Sequence, residues 1–156
     1  MKKSVLIVLL TAFSVSMYAQ SYEKSIGLRL GKPLGLTYKQ FVTNQNAIEG
    51  ILDLDLFTKD AFNLCVSGFY TWQWNLANVK GLDWFAGPGA SVGLFFVSVA
   101  GQTASDFNVS LNGLVGLEYK FDGIPLALSA DFGPRFYFLN SAGFYWGGAL
   151  SARYTF

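Results

Sequence analysis

The chain has no histidine, and that absence alone removes much chemistry. Serine–histidine triads, imidazole acid–base catalysis and His-ligated metals all need a side chain this sequence does not own. Its one cysteine, Cys65, cannot build an internal disulfide framework. Charge is sparse, at 13% of residues, and nearly balanced at a formal +1, so no basic surface invites nucleic acid. Apolar matter is plentiful instead: 52% hydrophobic and 17% aromatic, too rich for disorder. A length of 156 residues fits one domain.

The N-terminus reads as a secretory address. Lys2 and Lys3 precede an apolar run from Val5 to Leu10, and small Ser16 and Ala19 lead to a cut before Gln20. The run is short for a membrane helix, which needs about 20 residues. We expect residues 1–19 to be a cleaved signal peptide and residues 20–156 to form the mature domain. No cysteine follows the cut, which argues against lipidation. Cleavage leaves nine basic and ten acidic side chains.

Beyond the cut the pattern has a period of two, the signature of strands. Apolar rows run Ile26, Leu28, Leu30; Leu34, Leu36, Tyr38; Ile48, Leu52, Leu54, Leu56; and Phe62, Leu64, Val66, Tyr70, Trp72, Trp74. The later rows are Trp84, Ala86, Ala90, Val92, Leu94; Val109, Leu111, Val115, Leu117, Tyr119, Phe121; Leu126, Leu128, Ala130, Phe132, Phe136; and Trp146, Leu150, Ala152, Tyr154, Phe156. Turn-like residues separate them, as at Gly31-Lys32-Pro33, Thr43 to Asn46, Thr58 to Ala61, Asp122-Gly123 and Asn140 to Gly143. Eight rows, an even number, predict an all-β, antiparallel, up-and-down closed barrel. Two charge-free stretches, Ala61 to Val79 and Trp84 to Ser105, are long enough for membrane helices. Gly87-Pro88-Gly89 interrupts the second and polar alternation marks the first, so strands are expected there too. Pro88 and Pro134 fall inside strands, where each removes a ladder donor; flanking glycines predict bulges or a local bend.

The charges indicate which face is outside. Arg29, Lys39, Glu49, Asp53, Asp55, Glu118, Lys120, Asp131, Arg135 and Arg153 all fall on the polar side of their rows. A charge facing hydrocarbon costs about 2–4 kcal/mol at mid-membrane, so a lipid-facing surface excludes it. A soluble, lipocalin-like barrel would have to pack the aromatic-rich rows into an eight-stranded interior, which has room for small fillings or one ligand. Turned outward, they need no such room. Aromatics then gather at two rims: Tyr38, Phe41, Trp72, Trp74, Trp84, Tyr119, Phe121, Tyr154 and Phe156 at the end bearing the termini, and Phe57, Phe62, Phe96, Phe107, Phe136, Tyr145 and Trp146 at the other.

The closing segment GGALSARYTF alternates Leu150, Ala152, Tyr154 and Phe156, and LEYKFDGIPLALSADFGPRF reads as a hairpin. On these, the whole mature chain resembles the small eight-stranded outer-membrane barrels of Gram-negative bacteria, of the OmpA/OmpX type. The resemblance implies an outer-membrane location. It also implies contact with membrane lipid and lipopolysaccharide, and recognition of Leu150, Ala152, Tyr154 and Phe156 by the barrel-assembly machinery. It departs in its loops, which are short except for the segment from Val97 to Phe107.

Site readings are mostly negative. Gly89-Ala-Ser-Val-Gly93 matches a nucleophile elbow, but that motif needs a strand-to-helix turn and a histidine base, so Ser91 is expected as a small interior residue. Asp53 and Asp55 could hold Ca²⁺, yet five acids and five bases on the polar face predict a balanced ionic network that fills the lumen. Cys65 is expected to be an inert inward thiol. Asn108-Val-Ser110 matches a glycosylation sequon within a strand, and Lys32, Lys59 and Asp60 are expected in solvated outer turns. No catalytic, cofactor or metal set emerges. The expected function is a non-enzymatic barrel with a structural or surface-interaction role; a narrow pore or ligand-binding barrel is the alternative.

Overall fold

The computed structural model describes residues 22–32, 34–58, 61–76, 79–99, 102–138 and 143–156; the expected signal segment lies outside them. Eight strands follow in order: β1 (Lys24–Lys32), β2 (Leu34–Phe41), β3 (Asn46–Thr58), β4 (Ala61–Asn75), β5 (Leu82–Val99), β6 (Gln102–Lys120), β7 (Leu126–Tyr137) and β8 (Gly143–Thr155). Each pairs antiparallel with its sequence neighbour, and β1 pairs with β8 from Ser25↔Thr155 to Lys32↔Gly148, closing the barrel. Closure leaves no sheet edge along the paired segments, which satisfies backbone donors and acceptors without solvent. Among the described residues, the two charge-free stretches hold β4 and parts of β5 and β6 rather than helices. The turn between β6 and β7 places Gly123 at φ +82°, a conformation that favours glycine.

Side chains alternate as the period-two rows require, with inside and outside exchanged relative to a soluble protein. Leu28 is 57% exposed and Leu150 62%, whereas Lys39, Glu49 and Arg153 are each fully buried. The apolar surface faces outward and the ionic groups face the axis, so the interior is not the hydrophobic cup of a lipocalin.

Three local expectations are corrected. Val97 to Phe107 is no long loop: β5 and β6 continue through it, paired Val97↔Ala104, Ser98↔Thr103 and Val99↔Gln102. The prolines cause no bulge. Pro88 pairs with Gly113 on β6 while β4 and β5 form no bridge between Phe69↔Gly89 and Trp72↔Ala86. Likewise Pro134 pairs with Trp146 on β8, and the β6–β7 ladder skips from Asn112↔Arg135 to Val115↔Phe132. The register is the same on both sides of each gap, so a missing N–H removes bridges without adding a residue. Finally, two aromatics assigned to the rims share the inward phase of their strands. Phe41 follows Thr37 and Lys39 into the lumen and is buried. Tyr145 shares the phase of Ala149, Ser151 and Arg153, but at the end of β8 it is 56% exposed, as a rim residue is, and meets Tyr137 edge to face. The side chain of Phe57 lies outside the described residues.

Candidate functional site

The interior is the only chemically differentiated part of the described barrel, and it is layered. Nearest the termini lies an ionic cluster centred on Glu118 of β6. Its carboxylate accepts from Tyr22 Oη at 2.6 Å, Arg153 Nη1 at 2.6 Å, Gln73 Nε2 at 3.0 Å and Lys39 Nζ at 3.2 Å. Arg153 uses its other terminal nitrogen to reach Glu49 at 2.6 Å, and Thr37 Oγ1 donates to the same Glu49 oxygen. The planar guanidinium therefore bridges two carboxylates, which a lysine could not do with the same geometry. Gln73 extends the cluster to Asp83, which also accepts from Asn75. Desolvating so many charges is expensive, and short charge-assisted hydrogen bonds are what offset it.

Above this cluster sits an apolar layer of Ile51, Phe69, Phe85 and Leu114. Phe85 supports the ionic layer directly, with Lys39 Nζ 4.8 Å from its ring centre, and Phe41 holds the same ammonium at 5.1 Å. Next comes Arg29, whose two terminal nitrogens clasp Asp131 at 2.5 Å each. A cavity of about 20 Å³, room for one water, adjoins this pair and is lined also by Asn112, Leu114 and Arg135. Nearer the far rim the filling becomes hydroxyl and amide: Ser91 donates to Ser67 at 2.8 Å and accepts from Asn112, while Asn108 donates to Asn63 at 3.3 Å. Arg135 stands 3.7 Å from Asp53.

Of the residues expected in one network, Lys39, Glu49, Glu118 and Arg153 meet in the cluster, and two further pairs, Arg29–Asp131 and Arg135–Asp53, lie apart from it. Lys120 is not part of it. Its ammonium donates to the carbonyls of Phe121 and Ile124 at the turn, because the strand ends there. The side chain of Asp55 lies outside the described residues, as do those of Lys32, Lys59 and Asp60. Ser91 lies mid-strand with no turn behind it, and Cys65 is buried 3.9 Å from Ser67. Among the described residues no three His, Cys, Asp or Glu side chains gather as a metal would need. Leu150, Ala152 and Tyr154 lie exposed on the outer face of β8, and Phe156 follows it, also exposed.

Sequence reasoning missed Tyr22, Gln73, Asp83 and the apolar layer. The signal available for the layer was parity: Ile51 shares its face with Glu49 and Asp53, and Phe85 with Asp83.

An eight-stranded antiparallel barrel with a polar, ion-paired axis and an apolar skin is the architecture of the small outer-membrane barrels. Three solved structures are similar to this chain in fold. The N-terminal β-barrel domain of Pseudomonas aeruginosa OprF matches with a TM-score of 0.68 at 13% identity, covering 85% of this chain and 95% of that one. The attachment invasion locus protein Ail of Yersinia pestis gives 0.58 at 18%, covering 85% and 96%. Neisserial surface protein A gives 0.59 at 13%, covering 85% and 93%. At such identities the likeness is one of fold. No family model matches the chain, and no curated protein does.

Proposed function

We propose that the protein is a non-enzymatic, integral outer-membrane barrel with a structural or surface-interaction role, exported by cleavage of residues 1–19 and sealed along its axis by ion pairs. The observation that carries this reading is the exchange of faces: Leu and Val exposed on the outside, Arg153 and Glu49 buried at the axis. Water could not tolerate so large an apolar skin, whereas acyl chains demand it. Its partners are membrane lipid and lipopolysaccharide on the outside and, during assembly, the machinery that reads Leu150, Ala152, Tyr154 and Phe156.

Cell fractionation with heat-modifiable gel migration tests the location. Recovery of the mature chain in the outer membrane, migrating faster unheated than boiled, is the expected result; a soluble periplasmic protein would overturn the reading. The filled lumen predicts no steady conductance in planar bilayers. Large, stable channels from the purified barrel would favour the pore alternative instead. Substituting Phe156 by Ala should lower the folded yield in cells while leaving refolding into detergent intact.

A further inference from the structure

Among the described residues, four side chains hold the Glu118 carboxylate, and three of them are anchored in strands: Lys39 in β2, Gln73 in β4 and Arg153 in β8. The fourth is not. Tyr22 precedes the first rung of the barrel, Lys24↔Gln40, so no ladder fixes its parity. Strand alternation would turn it outward with the exposed Ile26, but the chain bends and sends the phenol into the mouth at the end bearing the termini. There it donates to the same Glu118 oxygen that Lys39 Nζ approaches at 3.3 Å, and its ring meets Phe41 edge to face at 5.2 Å. Two rings thus close on one ammonium, Phe41 held by the end of β2 and Tyr22 by its hydrogen bond to Glu118. Beside Tyr22 there is room to move. A broad, open cavity of about 370 Å³ is lined by Tyr22, Lys120, Ile124, Pro125, Thr155 and Phe156.

We propose that Tyr22 is a retractable plug. Seated, it keeps water from the Glu118–Lys39–Arg153 cluster; swung into the adjoining cavity, it opens that cluster to small solutes from the end bearing the termini. Withdrawal breaks no rung of the wall, because Tyr22 contributes none to the β1–β2 or β1–β8 ladders. It costs the phenol its hydrogen bond, but water reaching Lys39, Glu118 and Arg153 relieves part of the desolvation that burial imposes on them, so the open state lies not far above the seated one. The layer of Ile51, Phe69, Phe85 and Leu114 still closes the axis behind the cluster. The plug extends the sealed axis proposed above and rests on it: the barrel is tight from end to end, yet accessible at one mouth.

Reductive methylation of the mature chain in phospholipid nanodiscs, with formaldehyde and cyanoborohydride and read by mass spectrometry, tests this at Lys39. In the parent, Lys39 should react slowly, yet faster than the barrel unfolds, as a local opening allows. Tyr22→Phe keeps the ring and loses the bond to Glu118, and should speed Lys39 by about tenfold. Tyr22→Ala should speed it further. The exposed Lys80 should react alike in all three proteins, and the buried thiol of Cys65 should stay closed to iodoacetamide. Lys39 methylation no faster than unfolding in the parent, no response to either substitution, or Cys65 opening in step with Lys39 would each overturn the plug. Steady ion conductance through the parent would sink the sealed axis instead, so the two failures are distinguishable.

Discussion

Arg153 of β8 and Glu118 of β6 form a 2.6 Å ion pair across an intervening strand. The positions of β7 that face them are Ala127, paired with Arg153, and Ser129, paired with Glu118. Two small side chains clear the space through which the long ones meet, so the β7 sequence matters to a contact it does not make.

Glu118→Gln should therefore be costly. The substitution keeps the shape but strips charge from a group facing Lys39 and Arg153, both fully buried. Breaking a buried pair on one side costs about 3–5 kcal/mol. Urea unfolding in phospholipid vesicles, followed by tryptophan fluorescence, should show a loss of that order.

Phe85→Ala removes the ring beneath the Lys39 ammonium and opens a void in the apolar layer. Truncating a buried phenylalanine costs about 3–5 kcal/mol. Beyond the lower unfolding midpoint, brief conductance events should appear in planar bilayers where the parent barrel is silent.

Leu28→Arg tests the outward face. The residue is exposed at the middle of β1, and an arginine in hydrocarbon should destabilise the barrel by roughly 2–4 kcal/mol in vesicles. Leu28→Ala at the same position should lose far less. If the two variants unfold alike, the site does not face acyl chains.

Lys80 and Asp122 pair at 2.8 Å between turns, both exposed, and Lys80→Ala should leave stability unchanged. The hydrogen bond that Lys80 donates to Asp122, together with that carboxylate's charge, raises the Lys80 pKa above the ordinary lysine value. Whatever the pair contributes is fully present below the unfolded pKa and fades only as pH climbs through the raised one. Urea midpoints of parent and variant should therefore run parallel from pH 5 to pH 9.

The strands were legible because strand geometry sends alternate residues to opposite faces, and charge marks one face wherever the other meets hydrocarbon. Arg29, Glu49 and Asp131 are buried, as that parity expects. Legibility failed where chemistry and parity part company. Phe41 looks like a rim aromatic, yet it sits an even number of residues from a buried inward group. Ile51, Phe69, Phe85 and Leu114 are apolar and inward because a narrow axis packed with ion pairs leaves room for little water between its layers. Asp83 stands at a strand end, where sequence alone does not tell a buried carboxylate from a solvated one. The proline breaks needed the register of both neighbouring strands, which no single stretch of sequence carries.

The pairing of the first strand with the last also dictates when the molecule can finish folding. Pairs such as Ile26↔Tyr154 join β1 to β8, so the ring cannot shut until both of these strands are in place. Until then two raw edges need protection from aggregation, and contacts so distant along the chain make the last step slow. A single closing event is the natural outcome of a wall whose first and last strands must meet.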